Sequence, residues 1–168
     1  MSANAVAANP SNGNNGAGLL QLVSFQVGEE EYGVEILKVQ EIIRQPDLTR
    51  VPNLAKFVEG VINLRGKVIP VIGLRRCFGL DGRSADKQSR IIVVEVNGAT
   101  LGFVVDAVSE VLRVPRDTVE PPPAVGQVER EYIWGIGKLD ARLLLLLDLD
   151  RLMTHAEQQE CIAVSTVN

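Results

Sequence analysis

A mainly β fold, arranged as two small closed barrels in tandem, is what this 168-residue sequence predicts, on three observations. Short apolar runs alternate with polar residues at period two, the glycines stand singly at turn positions, and the whole pattern is written twice. The repeat organises the rest. "LVSFQV" (22–27) lies on "IIVVEV" (91–96), an offset of 69, and "YGVEILKVQEIIR" (32–44) falls on "LGFVVDAVSEVLR" (101–113) without a gap. Beyond Pro52 and Pro121 the offset becomes 75, so the second copy holds six additional residues in the loop with Pro121, Pro122 and Pro123. Loops are where a fold tolerates insertions. The hairpins "FVEGVINLRGKVIPVIGLRR" (57–76) and "YIWGIGKLDARLLLLLDLDR" (132–151) then match to the end.

Taken in order, residues 1–18 are Asn, Ala, Gly and Ser with almost no large apolar side chain, and read as a disordered tail. Val23, Phe25 and Val27 alternate with Ser24 and Gln26 as a strand; "GEE" is a turn; "YGVEI", "VQEII", "GVINL" and "KVIPVI" complete a set of about five. Pro70 inside the last segment belongs on an edge or at a bulge. Helical signal is confined to "LAKFVEG", "LRRCFG" and the C-terminal "LDRLMTHAEQQE". Five short antiparallel strands without a long helix point to a barrel of the SH3-like kind, because closure removes exposed edges. The expected subdomains run over about 22–80 and 89–152, with 153–168 a helix end and tail. A barrel of about 70 residues is marginal alone, so the two should lean on each other. Val93 in place of Ser24, and the run Leu143 to Leu147, read as strands covered on both faces, the alternative being local overpacking within one barrel.

Composition excludes several function classes. Seventeen basic residues scattered among 21 acidic ones, net charge -4, give no footprint for nucleic acid, and the few aromatics stand at core-like positions. No apolar run reaches membrane-spanning length and no secretory signal opens the chain, so the protein is expected in the cytoplasm without membrane insertion. Cys77 and Cys161 match no metal or disulfide spacing; Cys77 reads as a small buried hydrophobe and Cys161 as a free thiol. His155 stands alone in a polar segment. Asp148 and Asp150 beside Arg151 read as a solvated strand-to-helix junction. With no catalytic motif, no metal site and no cofactor cradle, the chain is expected to be a binding module rather than a small-ligand enzyme.

"EEEYGVEILKVQEIIR", "FVVDAVSEVLRV" and "FVEGVINLRGKVIPVIGLR" resemble the CheW family of bacterial chemotaxis coupling proteins over about residues 19–152. The resemblance implies two SH3-like five-stranded subdomains, no catalysis, and a role connecting the cytoplasmic tips of methyl-accepting chemoreceptors to the regulatory domain of the histidine kinase CheA. It also implies recruitment to membrane-associated receptor arrays. A coupling protein of a non-flagellar pathway, governing pili or second-messenger output, fits the same residues. The receptor- or kinase-binding surface it implies is Val39, Glu41, Gly60 and Arg65 in the first copy and Gly102, Val108 and Val111 in the second, although turn or bulge glycines can serve backbone geometry alone. Where the family commonly has Asp this chain has Gly73, while the second copy keeps Asp148.

The two hairpin turns differ in charge. Glu41 and Arg65 occupy positions where the second copy has Glu110 and Asp140. An ion pair between Glu41 and Arg65, lying across neighbouring strands, is therefore expected in the first copy and only repulsion in the second; the alternative is two independent, solvated charges.

Overall fold

A computed structural model of the protein describes residues 18–52, 56–82, 84–123, 131–154 and 156. The expected tail 1–18 apart from Gly18, His155, Cys161 and the chain beyond residue 156 lie outside the described residues. Each copy of the repeat supplies five strands. The first gives β1 (Leu19–Val27), β2 (Glu30–Glu35), β3 (Val39–Arg44), β4 (Val58–Leu64) and β5 (Lys67–Gly73); the second gives β6 (Arg90–Val96), β7 (Ala99–Val105), β8 (Ala107–Pro115), β9 (Ile133–Leu139) and β10 (Arg142–Leu147). "LRRCFG" contains the short helix α1 (Leu74–Cys77), and residues 149–154 are helical. "LAKFVEG" forms no helix in its described part, since Val58–Gly60 already belong to β4.

The tandem arrangement is overturned. Sheet one runs β9-β10-β2-β1-β8 and sheet two β4-β5-β7-β6-β3, so each takes two strands from one copy and three from the other. Exchanging every strand for its repeat counterpart converts one order into the other. Register obeys the same rule: Leu146 lies beside Gly33 where β10 runs parallel to β2, and Val71 beside Gly102 where β5 runs parallel to β7. The chain crosses between sheets twice in equivalent places, at the 3-10 turn Ile36–Lys38 and at Asp106.

Nor are the sheets closed into barrels. β8 and β9 are the edges of one, β3 and β4 those of the other. Isolated backbone pairings bridge the gaps among the described residues: Glu120 and Ile136 exchange backbone hydrogen bonds of 3.0 and 2.7 Å, and Thr49 and Val61 bonds of 3.0 and 2.9 Å. The edge strands are blunted instead by bulges, one in the pairing of each with its neighbour, at Ser24/Phe25, Val39/Glu41, Val58/Gly60 and Ile133/Gly135. Bulging is an alternative to closure as protection against edge-to-edge pairing. Pro70 is in an interior strand, but the β5–β7 ladder begins only at Val71, past the residue that lacks an N–H.

Period-two strands buried on both faces build three layers of core. Val23, Phe25 and Val27 of β1 meet Ile92, Val94 and Val96 of β6 between the sheets, where Leu74 of α1 and Leu149, Leu152 and Met153 also pack. Leu20, Leu22, Val114, Leu144 and Leu146 fill the hollow of sheet one; Ile62, Ile69, Val71, Ile91 and Val93 fill that of sheet two. Each such side chain contributes about 1.5–3 kcal/mol, so the shared apolar layer is what presses the sheets together. Val93 is indeed covered on its own side of β6, and of the run in β10 Leu144, Leu146 and Leu147 are buried while Leu143 is exposed. Ser24, in the place of Val93, is fully buried and uses the Glu110 backbone, its Oγ donating to the carbonyl at 3.1 Å and accepting from the N–H at 3.2 Å. Phe25, Tyr32, Phe78 and Tyr132 stack in series, with centroids 6.0, 4.8 and 5.5 Å apart. Through Phe78 the end of α1, which follows a strand of sheet two, is held against sheet one.

Candidate partner-binding surface

The exchange of strands puts four of the seven expected site residues on two repeat-related edges. Val39 opens β3, opposite Val94, and Val108 stands near the start of β8, opposite Phe25; both are half-buried at the rim of the layer between the sheets. A bulge follows each, which turns Glu41 and Glu110 out beside the buried Val93 and Ser24. Val111 then projects into solvent, 58% exposed, and Ile42 at the equivalent point of β3 is 38% exposed. Four of the seven expected residues, Val39, Glu41, Val108 and Val111, thus lie on these two strands.

Arg65 reaches the first of them from the β4–β5 turn, where its φ of 54° and that of Gly66, 84°, make the tight turn matched to strand twist. Its guanidinium grips Glu41 with both arms, Nη1 to Oε1 at 2.5 Å and Nη2 to Oε2 at 3.0 Å. That hydrogen bond first, and the carboxylate charge second, raise the Arg65 pKa. The expected ion pair is present. Its setting differs, because β3 and β4 are not neighbours but the opposite edges of sheet two, and the pair spans the gap between them.

Repulsion in the second copy does not occur. Glu110 is held by Arg142, whose Nη2 donates to Oε2 at 2.9 Å, while Arg142 Nε lies 2.8 Å from Glu31 Oε1. The Glu110 hydrogen bond, then the Glu31 charge, raise the Arg142 pKa. Position-by-position comparison missed this cation because Arg142 stands two residues past Asp140, at the place of Lys67.

Gly60 and Gly102 are interior. A Cβ on Gly60 would meet the Thr49 carbonyl oxygen at 2.7 Å, and one on Gly102 the Ile91 Cγ2 at 2.7 Å. Gly60 lets the 48–49 segment pair with Val61, and Gly102 lets β5, β6 and β7 close around the sheet-two hollow. Residues that the sequence reading left out are Ile42 and the exposed pair Val68 and Leu143, which the repeat places at equivalent positions, 65% and 57% exposed. The repeat itself was the available signal for them.

Two clefts lie in equivalent positions. The larger, about 400 Å³, is lined by Glu35, Lys38, Arg116, Trp134 and Asp150 among others. The smaller, about 200 Å³, replaces Trp134 by Glu59, Asp148 by Gly73 and Asp150 by Arg75. Asp148 caps the helical residues 149–154, accepting from the Arg151 N–H at 3.1 Å. Gly73 leaves room for the Glu59 side chain, whose Oε2 accepts from Arg76 Nε at 2.8 Å. Cys77 beside them has its pKa pushed up to about 12, by burial first and the Glu59 charge second. Among the described residues no cluster of His, Cys, Asp and Glu could hold a metal ion, and no helix is long and apolar enough to cross a membrane.

Comparison with known proteins gives this geometry relatives. The family model of the CheW-like domain matches residues 21–157. Chemotaxis protein CheW of Klebsiella aerogenes is 39% identical over 138 residues, 82% of this chain and 83% of that protein. The Helicobacter pylori protein of the same name is 36% identical over 135 residues, 80% and 82% of the two chains. The crystal structure of the scaffolding protein TtCheW from Thermoanaerobacter tengcongensis superposes with a TM-score of 0.73 at 41% identity, covering 79% of this chain and 91% of that one.

Proposed function

The chain belongs to the CheW family, and from that premise we propose that its two repeat-related edges are the surfaces through which it bridges chemoreceptor tips and the regulatory domain of CheA. The protein is a non-catalytic CheW-like adaptor. The observation that carries the proposal is the Glu41–Arg65 fork: a bidentate pair on an open sheet edge, beside the half-buried Val39 and the exposed Ile42, orders a polar and apolar surface without closing it. β8 repeats the arrangement with Val108, Glu110 and Val111.

An adaptor works by geometry. A receptor helix bundle packs against the half-buried Val39 and Val108 while the kinase domain docks on a sheet edge, in the cytoplasm, at the receptor array. Receptor state then biases kinase state by a coupling free energy shared between the two sites. Apolar anchors supply most affinity and the rim charges tune encounter. Co-sedimentation of the protein with receptor fragments and the kinase tests this: a ternary pellet requiring all three components supports it, and binding to neither partner overturns it.

A further inference from the structure

The two crossings between the sheets are built from equivalent positions and fastened differently. At the second crossing Asp106 is buried, and its Oδ2 accepts from the Gly28 N–H at 2.8 Å and from Arg75 Nη1 at 2.6 Å. Its own N–H donates to the Gln26 carbonyl at 2.9 Å. Arg75 continues the chain of contacts, Nε donating to the Asp81 carbonyl at 2.7 Å, and its carbonyl accepts from the Leu80 N–H at 2.7 Å. One carboxylate thus ties the β1–β2 turn of sheet one, the helix α1 that follows sheet two, and the point where the chain passes from one sheet to the other. The equivalents of Asp106, Arg75 and Gly28 at the first crossing are Leu37, Asp150 and Asn97. A leucine cannot accept a hydrogen bond or pair with a charge, and Leu37 is 93% exposed.

We propose that Asp106, Arg75 and Gly28 form a one-sided clamp on the joint between the sheets, and that Asp106 is a positioning residue through which the two partner-binding edges keep a fixed relative orientation. The shared apolar layer is non-directional and holds the sheets together without setting their angle sharply. A charge-assisted hydrogen bond in a poorly solvated place is directional. With the clamp at one crossing only, the joint is stiff at α1 and yields at the 36–38 turn.

This inference rests on the adaptor reading only for its functional arm, so the test has two arms. In a Cys77→Ala/Cys161→Ser background, spin labels at Arg44→Cys and Arg113→Cys, on the edge strands β3 and β8, report the angle between the sheets. Arg75→Gln and Asp106→Asn, the second of which keeps an acceptor for Gly28, are expected to broaden or shift the distance distribution. An unchanged distribution in both variants overturns the clamp. In the second arm the same variants are expected to bind receptor fragment and kinase separately within about twofold of the parent, while receptor control of kinase output falls about fivefold or more. A residue needed only for folding would lower both bindings together, and that result, or unaltered kinase control, overturns the positioning role. If the parent protein forms no ternary complex, the adaptor reading fails while the spin-label arm still decides the clamp.

Discussion

Arg65, in the β4–β5 turn, and Glu41, on β3, join the two open edges of sheet two, Nη1 2.5 Å from Oε1, although no ladder pairs β3 with β4. Arg65 is largely exposed and contributes through placement of the Glu41 carboxylate more than through stability. Arg65→Glu is expected to leave cooperative unfolding intact and weaken capture of receptor or kinase about tenfold or more, measured by pull-down. Capture at the parental level would remove Arg65 from the surface. The reversed pair, Glu41→Arg with Arg65→Glu, tests whether the ion pair or the individual charge is read.

Gly73 and Glu59 form a compensating pair. A Cβ at position 73 would meet the Glu59 side chain, and an aspartate there would also face a like charge. Gly73→Asp is therefore expected to destabilise by about 1–2 kcal/mol. In a Glu59→Ala background the same change should cost far less, because the new carboxylate can cap α1 as Asp148 caps its helix. A coupling of about 1 kcal/mol in the double-mutant cycle by chemical denaturation is the expected result; additivity would show that the two residues are independent.

Cys77 supplies a pH prediction. Its pKa in the folded protein, about 12, lies above the ordinary 9.0. A raised value means that the folded state holds the proton more tightly than the unfolded state. The resulting stability is present below pH 9 and is lost progressively as pH rises from about 9 towards 12. The same shift lowers the thiolate fraction at pH 8 by roughly a thousandfold. Alkylation of a Cys161→Ser variant should accordingly be slow until denaturant is added. Fast labelling in native buffer would contradict the raised pKa of this half-buried thiol.

Interior and surface positions should separate cleanly by readout. Gly102→Ala drives a Cβ to within 2.7 Å of the Ile91 side chain and is expected to cost about 1–3 kcal/mol. Val111→Asp changes an exposed side chain and is expected to alter stability by less than about 0.5 kcal/mol while reducing partner capture. Thermal melts and pull-downs run on both variants check the distinction.

Much of this was legible in the sequence because burial imposes period two on strands. The ten strands follow from it, and the Glu41–Arg65 pair follows from the repeat with its offset of 69 and then 75. Strand exchange was not legible, for a reason of symmetry. β1 could pair with β3 of its own copy or with β8 of the other, and the two present the same residues in the same register, Val39 or Val108 and Glu41 or Glu110. A pattern repeated twice specifies which segments are equivalent but not which copy supplies the neighbour. Closure failed as an expectation because bulges were not visible in the alternation, although Gly60 and Gly135 mark two of them. Arg142 was missed because a long side chain can serve a carboxylate from a register position other than the matching one.

Interleaving the copies makes each half of this polypeptide the missing piece of the other. Severed between β5 and β6, the first fragment would own two strands of one sheet and three of the second, and could complete neither alone. Two such fragments should regain structure only when mixed, and a chain retaining a single copy would have to recruit its own twin, the covalently joined form being the one-molecule equivalent of a domain-swapped homodimer.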